Sequence, residues 1–360
     1  MKITYFIHSL NIGGVTRAFV NQANELSVRG YDVDFVICNH TGELFHELSE
    51  DVNLISFGNK RITQSFFDFI MYLKKCRPSY VITGSNVQNE FVIFSNIICG
   101  SITKVIATQR NYFDIELKDK FVYGKYYRVF MRLLYPKAFR VIAVSDGIKS
   151  LLEELLPNQK IIRIYNPFDK KEIEKKALKS SYEKDLIPKK YIFIGARLVD
   201  IKNLILLIDS FSILIKRHTE YNLIISGEGD QKHNLVKLVE KYKISERVIF
   251  TGNLPNCYYL LKKASIVAVT SLCEALPGII IESLMLNKTV VSTPNAGAVE
   301  ILENGKYGYI SKSFDDAEEF ASLMETAIDN PIDPQLLKNR AKDFDSETVI
   351  KEYEKLFLPS

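Results

Sequence analysis

The sequence is poor in the residues that build metal centres and covalent frameworks. Its five cysteines (Cys38, Cys76, Cys99, Cys257 and Cys273) are odd in number and form no C-x-x-C pair. That excludes a disulfide scaffold and fits a reduced, cytosolic compartment, with the cysteines as small core residues. The five histidines (His8, His40, His46, His218 and His233) show no ligand spacing such as H-x-x-x-H, so no histidine metal site is expected. No P-loop and no G-x-S-x-G occurs, which removes the common phosphate-cradle and serine-hydrolase signatures. A dinucleotide fingerprint is also missing. Gly227-Glu228-Gly229 is followed by Lys232 where the pattern needs glycine, and Gly13-Gly14 does not complete it either. Apolar stretches such as Phe91 to Ile102 are interrupted and too short to cross ~30 Å of hydrocarbon. The segment Met1 to Ile7 has no basic n-region followed by an h-region, so no signal peptide is expected. The net charge of +4 is too small to indicate a nucleic-acid-binding protein.

What is present is ordinary globular material, 47% apolar and 25% charged over 360 residues. At roughly 150 residues per domain this predicts two domains or slightly more. Lys2 to Ile7 reads as a strand, Val15 to Arg29 as a helix closed by Gly30, and Asp32 to Cys38 as a second strand. Tyr80 to Thr83, Lys104 to Thr108 and Arg140 to Val144 continue as short buried strands. A break follows Asn166-Pro167, and residues 169–190, rich in lysine and glutamate, read as a connector. A second series begins with strand Tyr191 to Gly195 and helix Asn203 to Arg217. Strands Leu223 to Ser226, Val248 to Thr251, Ile266 to Thr270 and Thr289 to Ser292 follow. Helices are predicted at Asn256 to Lys263 and Gly278 to Leu286, and a terminal helix at Asp345 to Leu356. The expectation is an α/β chain of two Rossmann-like βαβ domains facing a central cleft, each binding ligand at the carboxyl edge of its sheet. The predicted boundaries are 1–168, 169–190, 191–344 and 345–360, with the last segment packing back on the first domain.

The charge is uneven. Residues 1–168 hold 20 Lys+Arg against 15 Asp+Glu, whereas residues 169–360 hold 27 against 28. Between Lys118 and Arg140 seven basic residues and seven aromatics are interleaved with one acid, Asp119. A basic, aromatic helix can lie on an anionic bilayer, with Lys125, Arg128 and Arg132 as contacts. It can equally be a surface helix whose aromatics face inward and whose cations are solvated.

Three constellations carry chemistry. In Ser271 to Glu282, a strand precedes and a helix follows, and Pro277 suits the first helical turn. Backbone N–H groups near Ala275, Leu276 and Gly278 then form an anion site. Glu282 stands on a helix among Ile279, Ile280, Ile281 and Leu284. Such a carboxylate needs hydrogen-bond donors; a pair of sugar hydroxyls would serve, and so would a local cap or salt bridge. Beyond Gly195, Arg197 and Lys202 lie at the carboxyl edge of a strand. Two permanent cations there suit a diphosphate; the plain alternative is two solvated surface charges. Gly13-Gly14, between a strand and a helix, permits close approach to an anion. Asp32-Val33-Asp34 matches a D-x-D metal motif, but it opens a β-strand and reads as structural.

Taken together, Arg197 with Lys202-Asn203, Gly227-Glu228-Gly229, Phe250-Thr251-Gly252 and the Glu274–Glu282 pair resemble the retaining glycosyltransferases of family 4, with the GT-B fold. Gly13 to Arg17, Val144 to Gly147 and Tyr165-Asn166-Pro167 resemble that family's first domain. Ala275 stands where glycine is frequent, and Asn287 and Thr289 replace a usual glycine and proline. Asn295 to Glu300 keeps one of two usual glycines, and Arg110-Asn111 occupies a stretch that often carries a histidine. The resemblance implies that Arg197, Lys202 and Glu274 act in catalysis. Gly195, Asn253, Leu254, Ala275, Leu276 and Glu282 would bind the donor, Glu282 through its ribose. Gly13, Gly14 and Arg110 would meet acceptor or phosphate.

It further implies a metal-independent enzyme without a cofactor. The enzyme would move a hexose or N-acetylhexosamine from a nucleotide diphosphate sugar to a lipid-linked or growing surface glycan. UDP is the expected base, with GDP as the alternative. The expected partners are donor, lipid-linked acceptor and an anionic membrane surface, with no nucleic acid. The expected location is the cytoplasmic face of the plasma membrane. Two other readings stand beside it: a nucleotide-sugar epimerase of the same fold, and a non-catalytic nucleotide-sugar-binding subunit.

Overall fold

The computed structural model describes residues 1–11, 13–58, 60–112 and 121–357, the side chains of 121–125 excepted. The segment 113–120, which includes Lys118 and Lys120, lies outside the described residues, as does the side chain of Lys125. The chain divides into two compact units, Met1–Phe168 with Ser346–Ser360, and Asp169–Asp345.

Each unit is built on one parallel sheet. The first contains β1 (Lys2–Ile7), β2 (Asp32–Ile37), β3 (Asn53–Ser56), β4 (Tyr80–Thr83), β5 (Lys104–Gln109), β6 (Arg140–Ala143) and β7 (Ile161–Arg163). Their spatial order is β3-β2-β1-β4-β5-β6-β7. Alternation along β1 explains why both faces are covered. Tyr5 packs on Phe19 of helix Gly14–Val28, with ring centroids 5.2 Å apart. Its neighbour Phe6 points the other way, onto Phe69 at 4.6 Å and Phe91 at 5.2 Å. Successive strand side chains alternate faces, so a continuous apolar strand requires helices on both sides. Helices Phe66–Cys76 and Asn86–Ile98 supply the Phe6 side. Helix Ser346–Phe357 packs against helix Gly14–Val28 on the Tyr5 side. Arg29 bridges to Glu354 at 2.9 Å, fastening the terminal helix there.

The second unit contains β8 (Tyr191–Gly195), β9 (Asn222–Ser226), β10 (Val248–Gly252), β11 (Ile266–Val269), β12 (Val290–Ser292) and β13 (Tyr309–Ile310), in the order β10-β9-β8-β11-β12-β13. Residues 169–190 belong to this unit. They carry helix Lys170–Lys176, capped by Asp169 Oδ1 on the Glu172 N–H at 3.0 Å. That helix packs against helices Tyr258–Lys263 and Gly278–Met285. In both sheets the chain leaves the starting strand in one direction and later crosses to its other side. The reversals fall between β1 and β4 and between β8 and β11. Ligands of open α/β sheets bind at such switch points, outside the carboxyl ends of the strands.

Candidate functional site

At the β8/β11 switch point two loops are tied together. Beyond β8, Ala196 N–H bonds Ser226 O at 2.9 Å and Leu198 N–H bonds Glu228 O at 2.9 Å, with Leu198 fully buried. A short 3₁₀ turn, Asp200–Lys202, ends at Asn203 in the left-handed region (φ 48°). Asparagine tolerates that conformation better than most residues, and its Nδ2 donates to Phe314 O at 2.8 Å. The turn is then fastened to the loop after β11. Leu272 N–H bonds Ile201 O, and Thr270 Oγ1 donates to Lys202 O, both at 2.9 Å.

This places the Lys202 ammonium against Glu274 Oε1, which also accepts from Ser271 Oγ at 2.8 Å. Both partners of the ion pair are mostly buried, at 19% and 17% side-chain exposure. The Glu274 loop is held from behind. Gly297 N–H bonds Glu274 O at 3.1 Å. A Cβ on Gly297 would fall 2.5 Å from Pro277 Cδ, 2.8 Å from Glu274 O and 2.9 Å from Ala275 O. Glycine is therefore required there by contact, which identifies the retained glycine of Asn295 to Glu300 as a support of this loop.

The helix after the loop is Gly278–Met285, with Pro277 at its N-cap in an extended conformation (ψ 107°). Pro277 thus precedes the first helical turn instead of lying in it. The leading N–H groups of a helix lack intrahelical partners, and this N-terminus lies over the end of β8: a Cβ on Gly195 would stand 3.6 Å from Ile279 Cδ1. Ala275 is buried and Leu276 half-buried. Glu282 is half-buried, and its Oε1 accepts from Tyr258 OH at 3.0 Å. Tyr258 opens the helix that leaves the carboxyl end of β10, so this carboxylate also stands on the carboxyl side of the sheet. Arg197 is exposed and forms no ion pair among the described residues. Asn253 is exposed and Leu254 half-buried, just beyond β10.

Lys202 and Glu274 thus touch. Arg197 and Glu282 stand on the same carboxyl edge of the sheet. Two further glycines shape the edge. Gly227 (φ 142°) and Gly229 lie so close to Ala196 O and Leu198 O that a Cβ would stand 1.9 Å and 2.2 Å away.

The first unit places its candidates differently. Gly13 and Gly14 are exposed where helix Gly14–Val28 begins. Gly13 is extended and offers no side-chain cap. A Cβ on Gly14 would meet nothing within 4 Å, so the chain itself does not demand glycine there. Arg110 is an interior residue, 4% exposed. Its Nε donates to Thr108 Oγ1 at 3.1 Å, Nη1 donates to Asn166 Oδ1, and its guanidinium lies 4.3 Å from the centre of the Phe19 ring. Burial lowers its pKa, partly offset by the nearby Tyr353 and Tyr5; the same burial pushes both of those hydroxyls upward. Asn86, opening the helix after β4, is 1% exposed with neither amide atom hydrogen-bonded. Sequence reasoning passed over Asn86; its signal was a polar residue after a strand end and Gly84-Ser85.

Asp32-Val33-Asp34 is structural. Asp34 is buried and accepts from Tyr72 OH at 2.6 Å, Asn53 Nδ2 at 2.8 Å and Lys2 Nζ at 3.3 Å. All five cysteines are free, with Cys38 buried and the other four partly exposed. Among the described residues, no group of three or more His, Cys, Asp or Glu could hold a metal ion, and no helix is long and apolar enough to cross a membrane.

This double arrangement recurs in solved structures. A glycosyltransferase from Rickettsia africae superposes with a TM-score of 0.80 at 19% identity, covering 100% of this chain and 99% of that one. Anabaena HepE in complex with UDP-glucose superposes with 0.80 at 17% identity, covering 99% of each chain. The fold is therefore GT-B, two parallel-sheet α/β domains of the glycosyltransferase type. Sequence models divide the chain the same way: Glycosyltransferase Family 4 matches residues 12–172, and Glycosyl transferases group 1 matches residues 174–344. A Campylobacter jejuni enzyme, GalNAc-alpha-(1->4)-GalNAc-alpha-(1->3)-diNAcBac-PP-undecaprenol alpha-1,4-N-acetyl-D-galactosaminyltransferase, is 28% identical, over 99% of this chain and 98% of its own length. The chain belongs to the family 4 glycosyltransferases.

Proposed function

We propose that the protein is a retaining transferase that moves a hexose or N-acetylhexosamine from a UDP-sugar to a lipid-linked or growing surface glycan. The observation that carries this reading is the Lys202–Glu274–Ser271 cluster at the β8/β11 switch point, beside the N-terminus of helix Gly278–Met285. Two relatives support the acceptor. The Campylobacter enzyme above and a second one, 26% identical over 99% of each chain, are named for transferring N-acetylgalactosamine to diphospho-undecaprenol saccharides. The HepE complexes with UDP and UDP-glucose support the donor.

The chemistry follows from the charges. The bond from the anomeric carbon to the β-phosphate oxygen breaks, and the leaving group is a nucleoside diphosphate. Neutralising its developing charge lowers the barrier. Lys202 exchanges its bond to Glu274 for one to the diphosphate, and the exposed Arg197 adds its planar fork. Glu274, released, accepts from hydroxyls of the transferred sugar, and Glu282 from the ribose. The anomeric carbon gains oxocarbenium-like character. The acceptor hydroxyl attacks on the face from which the diphosphate leaves, so configuration is retained, and its proton passes to the departing phosphate oxygen. Charge neutralisation by Arg197 and Lys202 takes the role a divalent cation plays elsewhere, so turnover is expected to persist in a chelator. The basic aromatic segment holding Lys125, Arg128 and Arg132 keeps the enzyme at the membrane that carries its acceptor.

The test is mass spectrometry of products from UDP-sugars with a diphospho-undecaprenol oligosaccharide. Wild type extends the acceptor by one sugar, and Lys202→Ala or Glu282→Ala depresses the yield strongly with the fold intact. Wild-type turnover in both variants removes the assignment. An epimerised donor formed without acceptor points instead to the isomerase.

A further inference from the structure

The first unit buries a positive charge opposite neutral groups alone. Arg110, just beyond β5, forms no ion pair among the described residues, and the groups that act on its guanidinium are Tyr5 and Tyr353. Neutral oxygens fix two of its nitrogens: Nε donates to Thr108 Oγ1 and Nη1 to Asn166 Oδ1. The third, Nη2, is buried without a hydrogen-bond partner. Three neighbours share that condition. Tyr5 and Arg110 both rest on Phe19, the tyrosine ring 5.2 Å and the guanidinium 4.3 Å from its centre. Gln22 follows Phe19 by one turn of helix Gly14–Val28 and so lies on the same face. Tyr353, on the terminal helix, stands beside the Gln22 amide and close to Tyr5 and Arg110. Tyr5, Gln22 and Tyr353 are fully buried. Both hydroxyls and both Gln22 amide atoms lack hydrogen-bond partners.

Orphaned polar atoms in a native interior call for a water or an ion. Charge decides between them. A guanidinium keeps its proton, and an uncompensated buried charge is costly. The tyrosines do not supply the missing negative charge, because burial holds both hydroxyls protonated. Water would satisfy the hydrogen bonds and leave the charge unbalanced. The open donors are Arg110 Nη2, the two hydroxyls and Gln22 Nε2, the set an anion requires. We propose that Arg110, Tyr5, Gln22 and Tyr353 enclose a buried monovalent anion of halide size. With all four side chains buried, a halide fits and a phosphate ester does not. The ion joins β1, the end of β5, helix Gly14–Val28 and the terminal helix, so it fastens the chain's last helix to the first sheet. It is separate from the donor site and does not rest on the transferase reading.

The probe is bromide. Calorimetric melting of the full chain is followed at constant ionic strength while sodium gluconate, whose anion is too large to enter, is replaced by sodium bromide. The same titration is run on Tyr353→Phe, which removes one donor and keeps the ring, and on Arg110→Gln. Subtracting the variant curve cancels the general salt effect. Wild type should gain a saturable increment of about 3 °C or more in Tm, and both variants should lose it. Bromide should also slow hydrogen exchange in the terminal helix of wild type, and crystals grown in bromide should show an anomalous peak against Arg110 Nη2. If Arg110→Gln fails to fold, Tyr353→Phe alone decides. Equal increments in wild type and Tyr353→Phe, water alone at that position in the anomalous map, or a crystal bromide without a solution increment would each overturn the proposal. The measurement uses no donor or acceptor, so its failure leaves the transferase reading untouched.

Discussion

Lys202 and Glu274 touch in the structure, and the proposed mechanism gives the two groups separate tasks. Breaking a mostly buried pair from one side leaves an uncompensated charge, so each residue needs its own control for folding. Lys202→Ala is expected to lower kcat by about 10²- to 10³-fold, the usual scale for a charge-stabilising group, with a lowered thermal melt but an unchanged circular-dichroism spectrum at the assay temperature. If Glu282 holds the ribose as proposed, Glu282→Ala is expected to act mainly on donor KM, since such a contact is alike in ground and transition states; a kcat effect without a KM effect would contradict that role. Gly297→Ala tests the support beneath the loop. Its methyl group must displace Pro277 or the carbonyls of Glu274 and Ala275, and both donor affinity and melting temperature should drop. A variant indistinguishable from wild type in calorimetry and turnover would show that the loop is not pinned there.

Secondary elements were legible where burial was complete and local. Lys2 to Ile7 is one run of strand formers, and the structure buries every residue of it except Lys2. The strands that escaped notice are short or half-exposed: Asn53–Ser56 at the sheet edge, Ile161–Arg163, and the two-residue Tyr309–Ile310. Their pairing depends on neighbours distant in sequence. Two further helices carry local start signals. Asp316 caps the Glu319 N–H ahead of Ala317–Asp329, and Asp333-Pro334 opens Pro334–Ala341. At this scale the packing of β1 can be tested on the face that carries Phe6, which helix Phe66–Cys76 covers. Phe69→Ala empties the cluster with Phe6 and Phe91 and is expected to cost about 3–5 kcal/mol in denaturant unfolding. Tyr72→Phe removes the 2.6 Å bond to Asp34. It should cost about 1–3 kcal/mol; no loss would mean that Lys2 and Asn53 suffice for that carboxylate.

Across the whole molecule the fold class and the family could be read, because strand–loop–helix punctuation and the Glu274–Glu282 spacing are local. The outward face of Asn86–Ile98 could not: Asn86, Gln88, Asn89, Glu90, Ser95 and Asn96 are buried while Phe94, Ile97 and Ile98 are exposed, the reverse of what polarity alone predicts, because neighbours distant in sequence decide which face is covered. Arg110 was hidden for the same reason: its burial beneath Phe19, near Tyr353, depends on a terminal helix more than 230 residues away. That helix also accepts from Tyr80 OH at Phe357 O, 3.3 Å away. Truncation after Asp345 is therefore expected to lower the melting temperature of the first unit, seen as loss of its amide protection in hydrogen exchange while the second unit keeps its own. The most direct test of the donor site is calorimetric binding of UDP and UMP to wild type and to Arg197→Ala combined with Lys202→Ala. Wild type should bind the diphosphate at least tenfold more tightly than the monophosphate, and the double variant should bind both alike. A double variant that keeps the full preference would place the second phosphate beyond the reach of these two cations and contradict the site.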